Sequence, residues 1–264
     1  MKIDQYYKQS ANLSLNASIV ALFPIIFFMV LSLFVFRNEQ LLILNLPFFI
    51  YSYSSYQLYL KRNKMALDSA NEKCNMKEYY RWMDCREFLI LHSEEEEDTI
   101  LFFQPNGYLV AALKQKKDKL SAKVKSLLSG SDHPLKYELV DHEETILSTI
   151  ILKKSKGLMD IYGQYHEYLG SFQKDKDNFF QVGKNAEVVS SNGNQVGVLN
   201  SSYFFMDDQI VRDGKRLARL RKGWLSVEWN KRFPDPNTPV LTFDENLLDS
   251  ERLVCVSMLL KEYL

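Results

Sequence analysis

Asp249 to Leu264 reads DSERLVCVSMLLKEYL, a helix-length segment that is apolar nearly all round. At about 100° per residue, Leu253, Val254, Cys255, Val256, Met258, Leu259, Leu260 and Leu264 surround the axis, and only Ser257 and Lys261 break the ring. Asp249 or Ser250 stands where an N-cap belongs. A helix with no polar face must be enclosed. It is shorter than the roughly 20 apolar residues that cross a bilayer, so the sequence before it is its natural wrapping.

That preceding sequence reads as a run of short strands. Cys85–His92, Thr99–Gln104 and Tyr108–Leu113 flank an acidic run, Ser93–Asp98, and the turn Pro105-Asn106-Gly107. From Lys136 the candidates recur at 136–140, 145–152, 157–162, 167–172, 186–190, 195–199, 203–206, 209–212, 216–221, 224–229 and 240–243. Asn192-Gly193, Asp207-Asp208 and Asp213-Gly214 are pairs that accept positive φ in tight turns, which makes the series an antiparallel meander. Many short strands at this spacing predict a barrel or sandwich. Lys114–Leu128 predicts one short helix inserted between strands, with Leu113, Leu120, Val124, Leu127 and Leu128 on its apolar side and lysines on the other.

A β-barrel threaded by a C-terminal hydrophobic helix resembles the tubby C-terminal-like superfamily, which includes LURP-one-related proteins and phospholipid scramblases. Asn192-Gly193-Asn194-Gln195-Val196-Gly197 resembles its recurrent strand-turn-strand, and Asp213-Gly214 followed by Leu217-Ala218-Arg219-Leu220 resembles its next hairpin. Pro239-Val240-Leu241 leads into the terminal helix, and Tyr162–Phe172 matches an earlier strand pair. The likeness covers about a third of the chain, mainly Ala186–Leu264. It implies a barrel that binds phosphoinositide-type headgroups through Lys and Arg. The scramblases' C-terminal anchor and acidic calcium-binding segment have no counterpart here.

The opposite end of the chain places it in a membrane. Gln9–Phe36 and Gln40–Leu60 are uncharged stretches separated by Arg37, Asn38 and Glu39. Ala17–Phe36, ASIVALFPIIFFMVLSLFVF, predicts a spanning helix bent near Pro24. The second stretch is more polar, with Asn45, Pro47 and a half that alternates Tyr51, Tyr53, Tyr56 and Tyr59 with serines in the manner of an interfacial belt. Its alternative is a re-entrant hairpin. Lys2, Lys8, Lys61, Arg62 and Lys64 against a single Arg37 in the loop put both termini in the cytoplasm by the positive-inside rule.

Lys plus Arg and Asp plus Glu both number 33, so no net field favours nucleic acid as a partner. Cys74, Cys85 and Cys255 show no CxxC spacing and read as free thiols of a reducing compartment. His92, His133, His142 and His166 are scattered without metal-ligand spacing. No GxSxG, GxGxxG or P-loop pattern occurs, so no enzyme, metal or cofactor is expected.

Cations are the remaining lead. Arg212, Lys215, Arg216, Arg219, Arg221 and Lys222 fall on two adjoining strands and their turns, with Arg219 and Arg221 on one face. Lys114, Lys116, Lys117, Lys119, Lys123 and Lys125 form a second group. Near an anionic leaflet each such residue contributes on the order of 1 kcal/mol.

The expectation is therefore a membrane-anchored α+β protein, bacterial in style. Residues 1–64 would form an anchor with transmembrane helices at about 13–36 and 41–60. Residues 65–84 would form a helical linker, and 85–264 a tubby-like β-barrel around a central helix at 249–264. The expected function is non-enzymatic binding, at the cytoplasmic face of the cell membrane, of anionic lipid headgroups through Arg212 to Lys222, or of a protein partner. Lipid scrambling, a PH-like accessory subunit and an enzyme are the alternatives.

Overall fold

The computed structural model describes residues 1–36, 43–72, 81–96, 98–116, 134–153, 158–173, 186–190, 193, 195–202, 207–223 and 225–260. It divides into two compact units, Met1–Asn75 and Met76–Leu264.

The first unit is helical. Helix α1 spans Ile3–Val20 and α2 spans Leu22–Val30, followed by a π-helical stretch at Leu31–Phe36. The division falls at Ala21, near where Pro24, lacking an N–H, leaves the carbonyl four residues earlier without its helical donor. Helix α3 spans Leu46–Asn71 with Pro47 in its first turn. The buried residues of α1 and α2 include Ile3, Tyr7, Ser10, Ser14, Ser18, Ala21 and Ile25. Those near and along α3 include Asn45, Ser52, Ser55, Ala66 and Ser69.

Steps of three and four run through the first set and steps of seven, three, eleven and three through the second, all sums of the three-or-four spacing that keeps one side of each helix against the other. Small serines and alanines let the backbones approach, and hydroxyls add hydrogen bonds across the seam. Ser18 Oγ donates to the Ser52 carbonyl at 2.9 Å, and Ser52 Oγ donates to the Ser18 carbonyl at 3.0 Å. Arg62 donates to Ser14 Oγ at 2.6 Å and to the Ser10 carbonyl at 3.3 Å, so the helices run antiparallel.

Ile3–Val30 is long and apolar enough to cross a membrane, and it alone is so among the described helices. Two spanning helices were expected at about 13–36 and 41–60. The second helix instead begins at Leu46 and runs unbroken into Lys61, Arg62 and Lys64, which dilutes its apolar length. Its outer face still presents Phe49, Ile50, Tyr53 and Leu58 to the surroundings.

The second unit opens with a 3₁₀ turn, Trp82–Asp84. Twelve strands follow: β1 Glu87–His92, β2 Thr99–Phe103, β3 Leu109–Gln115, β4 Leu135–Asp141, β5 Ile146–Lys153 and β6 Leu158–Gly163. Then come β7 Tyr168–Gln173, β8 Ala186–Ser190, β9 Gln195–Ser202, β10 Asp207–Arg212, β11 Lys215–Arg221 and β12 Val240–Phe243. Each pairs antiparallel with its sequence neighbours, and β1 pairs β12 with Phe88 opposite Leu241, so the sheet closes into a barrel without an edge. Asp213 and Gly214, at φ 51° and 75°, make the two-residue turn of the β10–β11 hairpin.

Helix α4, Asp249–Leu259, lies inside. Every residue from Arg252 to Leu260 is buried, packed against the inward side chains Ile150, Ile161, Phe172, Ile210, Leu220 and Leu241. Eight strands leave room only for side chains, whereas twelve leave room for a helix about 10 Å across. Each buried leucine, valine or methionine contributes about 1.5–3 kcal/mol relative to exposure. Ser257 satisfies its hydroxyl on the Leu253 carbonyl at 2.7 Å. The N-cap is Leu248, not Asp249 or Ser250, and the Glu251 carboxylate accepts its backbone N–H at 3.4 Å. Residues 261–264, the end of the expected helix, lie outside the described residues.

Other expectations change. Residues 224–229 were expected as a strand, but Ser226–Arg232 forms turns, and the segment to Thr238 covers the barrel's outer face. Leu89, Phe103 and Val240 point outward and are fully buried together with Phe233 of this segment, with Phe103 and Phe233 ring centroids 6.3 Å apart. Asp207-Asp208, expected as a turn, pairs inside β10, and Lys114, expected on a helix, pairs with Thr99 in β3. Residues 203–206 and most of Lys114–Leu128 lie outside the described residues. Of the expected helical linker 65–84, the part to Asn71 is helical, residues 73–80 lie outside the described residues, and Trp82 at its far end belongs to the barrel core.

Cys85 and Cys255 are buried in that core, and burial pushes both thiols up to about 12, with Gln104 hydrogen-bonded to the first only partly offsetting it. Thiolate is the reactive form, so neither cysteine should react with a thiol reagent at pH 8 until denaturant is added. Labelling of the folded protein at either position, read by peptide mass spectrometry, would contradict this packing.

Candidate functional site

Strand β11 reads Lys215-Arg216-Leu217-Ala218-Arg219-Leu220-Arg221, and the inward placement of Ala218 and Leu220 sends Arg219 and Arg221 out. The same alternation on β1 and β12 turns Glu87 and Thr242 outward, since Phe88, Leu241 and Phe243 belong to the core. Register completes the site. Glu87 pairs with Thr242, and Thr242 pairs with Arg219, so the three stand in one row across three strands. A groove of about 520 Å³ runs along this face, lined by Arg86, Glu87, Arg216, Arg219, Arg221 and Glu245 among others.

The six expected cations separate. Arg216, Arg219 and Arg221 share the groove. Arg212 instead forms an ion pair with Glu251 at the start of α4, which holds its guanidinium above its ordinary proton affinity. Lys215 is exposed at the hairpin turn. Lys222 lies beyond β11, where it adds to the burial that lowers the His92 pKa. In the second lysine group, Lys114 faces Glu96 at 3.8 Å and Lys116 faces Glu138 at 3.1 Å, and the others lie outside the described residues.

Within the groove the arginines differ. Arg219 is held by Asp207 through two hydrogen bonds of 2.7 and 2.5 Å, a bidentate pair that raises its pKa. Arg86 is paired to Glu245. Arg216 is exposed, with no hydrogen bond or ion pair from its side chain among the described residues. Arg221 is half-buried, and its Nε is buried without a hydrogen-bond acceptor. Burial raises the Glu87 pKa, and Arg221 pulls it back only in part. The arrangement can bind an anion at Arg221 or at Arg216, which stand at opposite ends of β11 with Arg219 fixed between them. Arg86, Glu87 and Glu245 were not expected here; Arg86 and Glu87 come near β11 only through closure of β1 onto β12, and Glu245 arrives at the end of β12.

Among the described residues no group of His, Cys, Asp and Glu is arranged to hold a metal ion. A second depression of about 630 Å³ lies where α4 enters the barrel, between Leu147, Tyr165, Leu169, Leu248 and Leu253.

No family model and no curated protein matches the chain. Among solved structures, the X-ray structure of a protein from Arabidopsis thaliana is similar over 67% of this chain and 90% of that one, at 11% identity and a TM-score of 0.42. A likeness that loose supports no argument about fold or function.

Proposed function

We propose that this chain is a non-enzymatic, membrane-anchored binding module of the tubby-like kind, whose groove between β1, β12 and β11 takes the headgroups of anionic phospholipids. The observation that carries this reading is Arg221, a half-buried guanidinium with an Nε that has no acceptor, in a groove that the uncommitted Arg216 also lines from the other end of β11. A buried donor left unpaired costs about 1–3 kcal/mol, which a phosphate oxygen would recover. In the proposal the helical unit anchors the chain in two passes, with both termini cytoplasmic, as the charges flanking it favour.

Scrambling is disfavoured by the polar groups it would need within the membrane. Asn45 is buried, and Ser52 and Ser55 are turned into the seam, Ser52 bonded to Ser18.

Co-flotation of residues 76–264 with phosphatidylglycerol or phosphatidylcholine vesicles tests the reading. Binding to the anionic vesicles only, weakened by salt, is expected. The Arg216→Gln, Arg221→Gln double variant should lose about 30-fold in partitioning, from on the order of 1 kcal/mol per arginine. Equal binding to both vesicles, or none to either, would end the headgroup reading.

A further inference from the structure

The groove is not simply cationic. Glu87, Asp244 and Glu245 line it together with the arginines. Glu245 is committed to Arg86, and Asp244 accepts the Asn246 backbone N–H at 2.9 Å. The Glu87 carboxylate makes no hydrogen bond among the described residues, although it faces the groove on the row that ends at Arg219. With neighbouring strands about 4.8 Å apart, Glu87 stands about 10 Å from Arg219 across β12, a span that a small headgroup can bridge. Arg221 lies on the same face two residues further along β11.

A carboxylate beside an anion site repels a ligand that is only anionic. It stabilises one that carries a cation next to its phosphate. We propose that the groove recognises a phosphate–ammonium zwitterion of the phosphoethanolamine or phosphoserine type, with the phosphate on Arg221, the longer-range charge of Arg216 adding to it, and the primary ammonium on Glu87. This rests on the arginine phosphate site of the proposed function and extends its ligand from purely anionic headgroups to zwitterionic ones. A primary ammonium donates charge-assisted hydrogen bonds to a carboxylate, and the trimethylammonium of choline donates none.

The full-length protein in maltoside micelles provides the test. Native mass spectrometry with equal amounts of phosphatidylethanolamine, phosphatidylcholine and phosphatidylglycerol measures relative occupancy, and calorimetry with O-phosphoethanolamine and with inorganic phosphate measures the soluble group. The expected result is a preference of about tenfold for phosphatidylethanolamine over phosphatidylcholine, abolished in Glu87→Gln while phosphatidylglycerol binding is kept or strengthened. Binding of O-phosphoethanolamine with the same dependence on Glu87 would support recognition of the group itself, free or on a lipid. Its absence alongside the lipid preference would support recognition of the lipid form.

Should Glu87→Gln strengthen phosphatidylglycerol binding and leave the ethanolamine-to-choline ratio unchanged, Glu87 only tempers the arginines. The zwitterion is then wrong and the headgroup reading survives. If Arg216→Gln, an exposed change that the fold tolerates, and Arg221→Gln both leave every occupancy unchanged, the headgroup reading falls as well.

Discussion

Arg252→Ala is expected to lower the melting temperature of the barrel unit by on the order of 10 °C, from a loss of about 3–5 kcal/mol. The side chain sits at the first turn of α4, 4% exposed, and Nη1 donates to the carbonyls of Met83 at 2.6 Å and Cys85 at 2.8 Å. The guanidinium carbon lies 5.2 Å from the centre of the Phe243 ring. One cation thus ties the interior helix to the chain entering β1 and to β12. Burial lowers its pKa, a sign that desolvating the charge is unfavourable, and its Nε has no acceptor. The two carbonyl bonds and the ring offset that cost. Alanine would leave the buried Cys85 carbonyl and the part-buried Met83 carbonyl without this donor, and a cavity beneath Phe243. Arg252→Lys should recover only part of the loss, because the shorter lysine stem places its ammonium short of Nη1 and lacks the guanidinium plane that lies over the Phe243 ring. Differential scanning calorimetry of residues 76–264 measures the order wild type, lysine, alanine. An alanine variant melting within 2 °C of wild type, well inside the spread expected for a surface change, would mean that the latch contributes nothing.

Arg252 also shows where the sequence stops being readable. Apolar residues all round Leu253–Leu260 require an enclosed helix, because no polar face is available for water. Strands at 136–172 and 209–243 are legible from short apolar runs set between turn residues, and Asp213-Gly214 shows its hairpin directly. Arg252, next to Glu251 and Asp249, looks like the solvated start of a helix. Its burial follows from the strand that comes to lie over it, more than 160 residues earlier in the chain. Residues 224–229 alternate like a strand, yet they precede Pro234, Pro236 and Pro239, and a proline-interrupted segment supplies few ladder N–H groups. It packs as an outer cover instead.

The groove was half legible for the same kind of reason. Period-two alternation puts Arg219 and Arg221 on one face, and that is local information. Which cations are free is not local. Arg212 is spent on Glu251, 39 residues away, and Arg219 on Asp207, whereas Arg216 and Arg221 stay available. Glu87 reaches the groove through a pairing between the first and last strands, the longest contact in the sheet and the one that no spacing rule announces.

Trp82→Ala should cost the barrel about 3–5 kcal/mol, although Trp82 precedes the first strand and stands in what reads as linker. The indole stacks on Phe88 with centroids 4.2 Å apart and meets Phe102 edge-on at 5.1 Å, and Phe243 lies 6.4 Å away. These rings belong to β1, β2 and β12, so the indole packs together the strands at which the barrel closes, next to the Arg252 latch. Aromatic pairs of this geometry add about 0.5–1.5 kcal/mol to what area burial contributes. The indole N–H has no acceptor, so its hydrogen bonding is not what matters. Trp82→Phe should therefore retain most of the stability, with a loss confined to the smaller ring. The same reasoning sets the boundary of the folding unit: a fragment starting at Met76 should unfold cooperatively in urea, and one starting at Met83 should have a midpoint lowered as far as that of Trp82→Ala. Equal midpoints for the two fragments would show that the closing strands hold without the indole, and would move the start of the barrel to Glu87.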